Sequence, residues 1–183
     1  MSVRWRRQVD VLYDADTISK RVVELGAAIT KEFDGESLIV VGVLKGCFLF
    51  YADLVRAIDL PMKNDFIGIS SYADGTTSSG VVQLTQDLSQ PIEGGHVLLV
   101  EDIVDTGLSM RYLLDNLSSR RPASLSVCTL LDKKTRRRVD IPIRYRGFDT
   151  PDAFVVGYGL DFAGLYRNLP YIGVYRESSS TPS

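Results

Sequence analysis

The apolar positions of this chain fall into short dense runs separated by polar turns, with amphipathic stretches between them. Leu38-Ile39-Val40-Val41-Gly42-Val43-Leu44 is a continuous run, rich in β-branched side chains, with no polar position to turn toward water. A strand buried on both faces of a parallel sheet has this character, whereas a half-exposed strand would alternate. Upstream, Ile18, Val22, Leu25, Ile29 and Phe33 recur at helical spacing. This predicts an amphipathic helix from Asp16 to Phe33, with Asp16 as N-cap and Gly35 just past the end. A second helix is predicted from about Cys47 to Ile58, with Phe48, Ala52, Val55 and Ile58 on its inner side.

The same alternation continues. Phe66 to Ser70, Val81 to Thr85, Val97 to Val100 after the Gly94-Gly95 turn, Leu125 to Leu131, Phe154 to Val156 and Tyr171 to Tyr175 read as strands. A third helix is expected from about Leu108 to Leu117, with Leu113, Leu114 and Leu117 inward. Strands alternating with crossover helices predict an α/β domain with a largely parallel central sheet flanked by helices. At 183 residues the whole chain is expected to form one domain, with Ser178 to Ser183 as a disordered tail.

Composition narrows the chemistry. A formal net charge of -2 gives no support to a nucleic-acid or membrane-surface partner. The basic start, Arg4 to Arg7, runs into Asp10, Asp14 and Asp16 rather than into the apolar core of a signal peptide. No apolar run approaches the roughly 18 residues of a membrane helix, so a cytosolic protein is expected. Cys47 and Cys128 are far apart, lack a CxxC spacing and sit among apolar neighbours, as buried free thiols do. His96 is the single histidine, which excludes most familiar zinc sites and any Ser-His or Cys-His pair not built on it. It stands where a strand begins and is not expected to be catalytic. The chemistry must therefore run on carboxylates, lysines, arginines and backbone amides.

Ligands of open α/β sheets bind beyond the carboxyl ends of the strands. Four stretches after predicted strands carry useful side chains: Lys45-Gly46, Glu101 to Ser109, Asp132-Lys133, and Gly157 to Arg167. In the second, a hydrophobic strand leads to two adjacent carboxylates, a Thr-Gly turn and the start of a helix. Small residues let backbone amides approach an anion, hydroxyls add donors, and the helix N-terminus adds partial positive charge, so Asp105-Thr106-Gly107-Leu108-Ser109 reads as a phosphate cradle. Glu101 and Asp102 would repel that phosphate. Adjacent acceptors suit a pair of sugar hydroxyls instead.

The run Val100-Glu101-Asp102-Ile103-Val104-Asp105-Thr106-Gly107 resembles the phosphoribosyl-pyrophosphate signature of type I phosphoribosyltransferases, specifically the hypoxanthine-guanine (6-oxopurine) branch. The resemblance extends through Leu44-Lys45-Gly46, Ser71-Tyr72, Leu131-Asp132-Lys133, Phe154 to Tyr158, and Leu160-Asp161 with Arg167, and so covers most of the chain from Val9 to Tyr175. It implies the type I fold, with a small hood and a flexible loop beside the parallel sheet. It also implies magnesium-dependent transfer of the 5-phosphoribosyl group to N9 of hypoxanthine or guanine, releasing pyrophosphate, in a homodimer or homotetramer.

Residue by residue, the resemblance assigns Glu101 and Asp102 to the ribose hydroxyls and to metal-bound water, and Asp105 to Ser109 to the 5′-phosphate. Asp105 is also its candidate for the base that takes the purine proton. Lys45 and Gly46 match the pyrophosphate loop, whose Leu-Lys peptide is often cis in relatives, and Arg167 matches a pyrophosphate arginine. Lys133 matches the donor to purine O6, Phe154 the stacking aromatic, Val155 the backbone facing the purine edge, and Asp161 a carboxylate at a magnesium site. The polar, Gly-rich stretch from Ser71 and Tyr72 to Gly80 matches the family's lid. Two departures are small: Ser109 replaces a usual Thr, and Cys47 a usual small residue.

Plainer readings stand beside these. Lys45 could snorkel from a strand end, Phe154 could be core, and Tyr72 to Gly80 could be an ordinary hairpin. Lys133 to Arg138 could be a nucleic-acid patch, although a solvated turn with one working lysine fits better. A regulator on the same fold would not need Asp105, Lys133 and Arg167 together. An adenine transferase would not place a lysine donor opposite a 6-amino group. The residues do not rank hypoxanthine, guanine and xanthine.

Overall fold

The apolar run Leu38–Leu44 is strand β2, and its odd and even residues enter different cores. Leu38 and Val40 join one cluster, Ile39, Val41 and Val43 the other, as a period of two requires for a strand covered on both faces. The structure is a computed structural model that describes residues 9–71 and 82–176. The elements around β2 are β1 (Val9–Tyr13), α1 (Ala15–Glu32), α2 (Phe48–Ala57), β3 (Met62–Ser71), β4 (Val82–Gln86), β5 (His96–Val104), α3 (Leu108–Ser118), β6 (Ser124–Asp132), β7 (Ile143–Asp149), β8 (Val155–Val156) and β9 (Ile172–Tyr175).

Among the described residues a six-stranded sheet runs in the order β4-β3-β2-β5-β6-β7, and a three-stranded one in the order β1-β9-β8. In the large sheet only the β3–β4 pairing is antiparallel. Leu38 pairs with both Met62 and His96, which fixes the register of the three central strands. Helices α1 and α2 cover one face, where Ile18, Val22, Leu25, Phe50 and Leu54 meet Val40, Leu98 and Val100. Helix α3 covers the other, with Leu113 and Leu117 against Val41, Val97 and Leu99. Each such side chain, fully buried, contributes about 1.5–3 kcal/mol. The small antiparallel sheet is the hood.

The predicted alternation of strands and helices holds, with local corrections. The cap of α1 is Asp14, whose side chain accepts from Thr17 N–H at 2.7 Å. Asp16 lies inside the first turn, where its charge complements the helix dipole. In α2 the buried side chains are Phe50, Tyr51 and Leu54, while Phe48 is 40% exposed and Ala52 is exposed. Apolar residues lie all round this helix, so spacing alone did not fix its inward face. Strand β5 does not stop at Val100: pairing with β6 continues to Val104↔Asp132, so Glu101 and Asp102 lie on the strand, not in the turn after it. Strands β1 and β7 were not anticipated. Val81, Tyr72 to Gly80 and the Ser178 to Ser183 tail lie outside the described residues.

Candidate active site

Strands β2, β5 and β6 are parallel neighbours, so the loops that follow them meet at one edge of the sheet. After β2 the Leu44–Lys45 peptide is cis, and Gly46 turns into α2. Gly46 packs on the carboxylate of Asp102: a Cβ there would stand 1.8 Å from Asp102 Oδ2. Only glycine lets the backbone approach so closely.

After β5, Gly107 takes a left-handed conformation (φ 86°) and caps α3 without a side-chain acceptor. No acidic residue stands in the first turn of α3, whose first amide, Leu108 N–H, donates to Thr106 Oγ1 at 3.5 Å. Glu101, Asp102, Asp105, Thr106, Gly107 and Ser109 share the wall of a cleft of about 170 Å³. Of the predicted cradle residues all but Leu108 line this cavity, together with the carboxylate pair. Burial, and then the charge of adjacent Asp102, pushes the Glu101 carboxyl well above the usual carboxylate range. The same two carboxylates, with burial ahead of them, push the Cys47 thiol up, so this buried cysteine is no nucleophile.

Asp105 lies just past the end of β5. Its Oδ1 is buried with no hydrogen-bond partner, and its Oδ2 is 3.4 Å from Arg136 Nη1. Lys133 follows β6 and is buried. Burial pulls its pKa down, against the opposing charge of Asp105, which places the two side chains in one electrostatic neighbourhood.

The remaining predicted residues come from the hood and its loops. Arg167 holds Asp161 (Nη2–Oδ1, 2.6 Å) and donates from Nη1 to the Gly159 carbonyl at 2.5 Å. Asp161 Oδ2 also accepts from Gly164 N–H at 2.8 Å. Lys45 and Arg167 line one cleft of about 350 Å³ with Leu44, Ile69 and Thr85, so two cations face the same space. Phe154 precedes β8 and is 52% exposed, edge-on to Phe162 at 5.6 Å, so it is not a core residue. Val155 is buried and pairs with Val174. Ser71 ends β3, and Tyr72 lies outside the described residues.

The basic run after Lys133 is largely neutralised in place. Lys134 pairs with Asp149 at 3.0 Å, Arg136 reaches Asp105 and Asp152, and Arg137 pairs with Asp132. Lys134, Arg136 and Arg138 are exposed, as a solvated turn requires, and Arg137 is the exception at 15% exposed. Sequence reasoning missed Arg137 because its partners lie on β5 and β6. No signal local to the run identifies it.

Among the described residues no group of three or more His, Cys, Asp or Glu could hold a metal. Magnesium, however, is commonly held by one or two carboxylates together with substrate phosphates and water. Glu101 and Asp102, hard oxygen donors whose mutual repulsion a cation would relieve, fit that pattern.

Comparison with known proteins gives the family and its relatives. The family described as phosphoribosyl transferase domain matches residues 8–163. The hypoxanthine phosphoribosyltransferase of Haemophilus influenzae is 49% identical over 171 residues, covering 92% of this chain and 96% of that protein. The hypoxanthine-guanine-xanthine phosphoribosyltransferase of Tritrichomonas foetus is 47% identical over 172 residues, 93% of each chain. A crystal structure of a hypoxanthine phosphoribosyltransferase from Staphylococcus aureus superposes with a TM-score of 0.91 at 45% identity, covering 96% of both chains. With a strand-to-helix cradle, a carboxylate pair and a family match over most of its length, this chain belongs to the phosphoribosyl transferase family.

Proposed function

We propose that this protein is a purine-salvage enzyme that moves the 5-phosphoribosyl group of phosphoribosyl pyrophosphate to N9 of hypoxanthine, and of guanine, giving IMP or GMP and pyrophosphate. The observation that carries the reading is that the ends of β5 and β6 bring Asp105 and the buried Lys133 together beside the α3 cradle, with the Lys133 amide donating to the Val104 carbonyl at 3.0 Å. The family and the names of its relatives support the reaction class.

In this reading the amides and hydroxyls of Asp105 to Ser109 take the 5′-phosphate, and Glu101 and Asp102 accept from the ribose 2′- and 3′-hydroxyls. Lys133 donates to purine O6, Phe154 stacks on the base, and the backbone of Val155 faces its N1 and C2 edge. N9 forms its bond to C1 as the bond from C1 to pyrophosphate breaks. The proton the purine loses goes from N7 to the carboxylate of Asp105, the general base of this reading. Lys45, the Gly46 amide and Arg167 hold the departing oxygens, and Arg167 is oriented by Asp161. Glu101 and Asp102 are the residues that would hold magnesium; Asp161, which the resemblance also assigns to it, has its oxygens on Arg167 and the Gly164 amide. When bound, magnesium supplies neutralisation of charge on the pyrophosphate.

Specificity follows from Lys133: an ammonium group has only donors, and adenine presents a donor where hypoxanthine presents an acceptor. The reading includes one domain over the whole chain, a lid beginning at Ser71 and Tyr72, small-molecule substrates only, a cytosolic setting and a homodimer or homotetramer. Among the described residues no helix is long and apolar enough to cross a membrane. The test is pyrophosphate release with each of hypoxanthine, guanine, xanthine and adenine, with and without magnesium. Release with hypoxanthine or guanine that stops in excess chelator is expected. Release from adenine alone, or full activity in chelator, would overturn the reading.

A further inference from the structure

Asp132, the last residue of β6, is 2% exposed and immediately precedes Lys133. A carboxylate so buried must be paired. Its two oxygens meet different guanidinium groups, Oδ1 that of Arg137 and Oδ2 that of Arg146, the latter at 2.7 Å. The two arginines differ in what else they hold. Arg137 donates from Nε to the carbonyl of Asp105 at 3.1 Å and from Nη2 to that of Val104 at 3.3 Å. Arg146 Nε has its other acidic neighbour in Asp149, 3.6 Å away at the end of β7, on the side away from β5.

Val104 and Asp105 are where β5 gives way to the phosphate turn. The rest of the segment after Lys133 lies across that turn, since Thr106 O accepts from the amides of Arg138 at 2.9 Å and Val139 at 3.2 Å. There is little slack between the layers: a Cβ on Gly107 would stand 2.7 Å from Val139 O and 3.1 Å from Arg137 Cδ. One largely buried side chain thus spans the end of β6, which leads into Lys133, and the end of β5, which leads into Asp105.

The geometry points to Arg137 as a positioning residue for the transfer step: it holds the turn bearing the proton acceptor Asp105 at a fixed offset from the loop bearing Lys133. This rests on the proposed roles of those two residues. Arg137 touches neither substrate and acts through the backbone. A guanidinium can do this because its donors form a rigid planar fork, which here serves three acceptors. A lysine would keep a charge opposite Asp132 but has no second arm for the carbonyls.

The test compares Arg137→Lys with Arg146→Lys in the full chain, measuring Tm, kcat, and KM for hypoxanthine and for phosphoribosyl pyrophosphate. Both changes weaken the pairing of Asp132 and should lower Tm. Arg137→Lys should in addition reduce kcat about 10²-fold, the cost of misplacing reacting groups by about an ångström, with both KM values within a few-fold. Arg146→Lys should keep kcat near that of the unaltered enzyme. Equal kcat for the two variants, or loss of the fold with Arg137→Lys, would overturn the assignment, because Arg137 would then serve stability alone. Failure of the reaction proposed above is told apart by the unaltered chain, which would itself transfer nothing to hypoxanthine.

Discussion

The backbone of Gly46 lies against the carboxylate of Asp102, so close that a Cβ at position 46 would fall 1.8 Å from Oδ2. The loop assigned to the leaving group and the carboxylates assigned to ribose and metal are therefore one packed unit, and neither can shift alone. Gly46→Ala should lower kcat/KM for phosphoribosyl pyrophosphate by about 10²-fold or more, since an ångström of displacement in an assembled site costs that much. The sheet beneath should survive, so Tm should change much less than activity does. Steady-state kinetics beside a melting curve check this, and an active Gly46→Ala enzyme would show that the loop and Asp102 move apart freely.

Lys133 carries a conflict between stability and function. Burial lowers its pKa, and the charge of Asp105 only partly restores it. A lysine whose folded pKa is depressed costs stability wherever it must be charged in the fold, and the cost is relieved as pH rises through the folded value. Lys133→Met should thus raise Tm at neutral pH, while kcat/KM for hypoxanthine falls by about 10- to 100-fold through loss of a charged hydrogen bond. The unaltered enzyme should lose purine affinity on the alkaline side below the ordinary lysine range of about 10.4. A Tm that drops with Lys133→Met would mean that the charge is fully compensated in the fold.

The acid limb of stability has an identifiable contributor in Glu32 at the end of α1. Burial alone would raise its pKa, but hydrogen bonds from Arg144 Nε and Tyr145 OH, both 2.5 Å, outweigh that and hold it below the usual value. A depressed carboxylate contributes stability above its unfolded pKa and loses it as pH falls through the folded one. Melting curves of Glu32→Gln and the unaltered chain should differ at pH 7 and draw together as pH falls below the ordinary glutamate value of about 4.3. Parallel curves over that range would remove Glu32 from the account.

Adenine should be rejected. With the ammonium of Lys133 and the 6-amino group both donating, neither finds an acceptor, and kcat/KM for adenine should lie at least about 10²-fold below that for hypoxanthine. Comparable values would mean that Lys133 does not read position 6.

What could be read beforehand followed the reach of each signal. The β2 run was legible because a strand covered on both faces admits no polar residue, and the cradle because strand, carboxylates, small turn and helix start stand in consecutive positions. The inward face of α2 was not, since Phe48, Phe50, Tyr51 and Leu54 place apolar surface on several sides of one short helix. Strand β7 went unread although Ile143 and Tyr145 alternate with Arg144 and Arg146, because edge strands lack the dense apolar run that marked the others. Arg137 was hidden among charges in sequence. Its role depends on carbonyls about thirty residues upstream, which only the pairing of β5 with β6 brings near.

The central claim is that Asp105 takes the purine proton. Its position in the cradle offers a second job, shaping the turn, and the two can be separated. Asp105→Asn preserves size and hydrogen bonding but cannot accept the proton. It should therefore lower kcat for hypoxanthine by about 10²- to 10⁴-fold, the usual worth of general-base catalysis. Binding of phosphoribosyl pyrophosphate should stay within a few-fold, since Thr106, Gly107 and Ser109 still line the cleft. A near-normal kcat for Asp105→Asn, with the chemical step shown by single-turnover kinetics to limit the rate, would contradict the account and assign the proton to another group or to water.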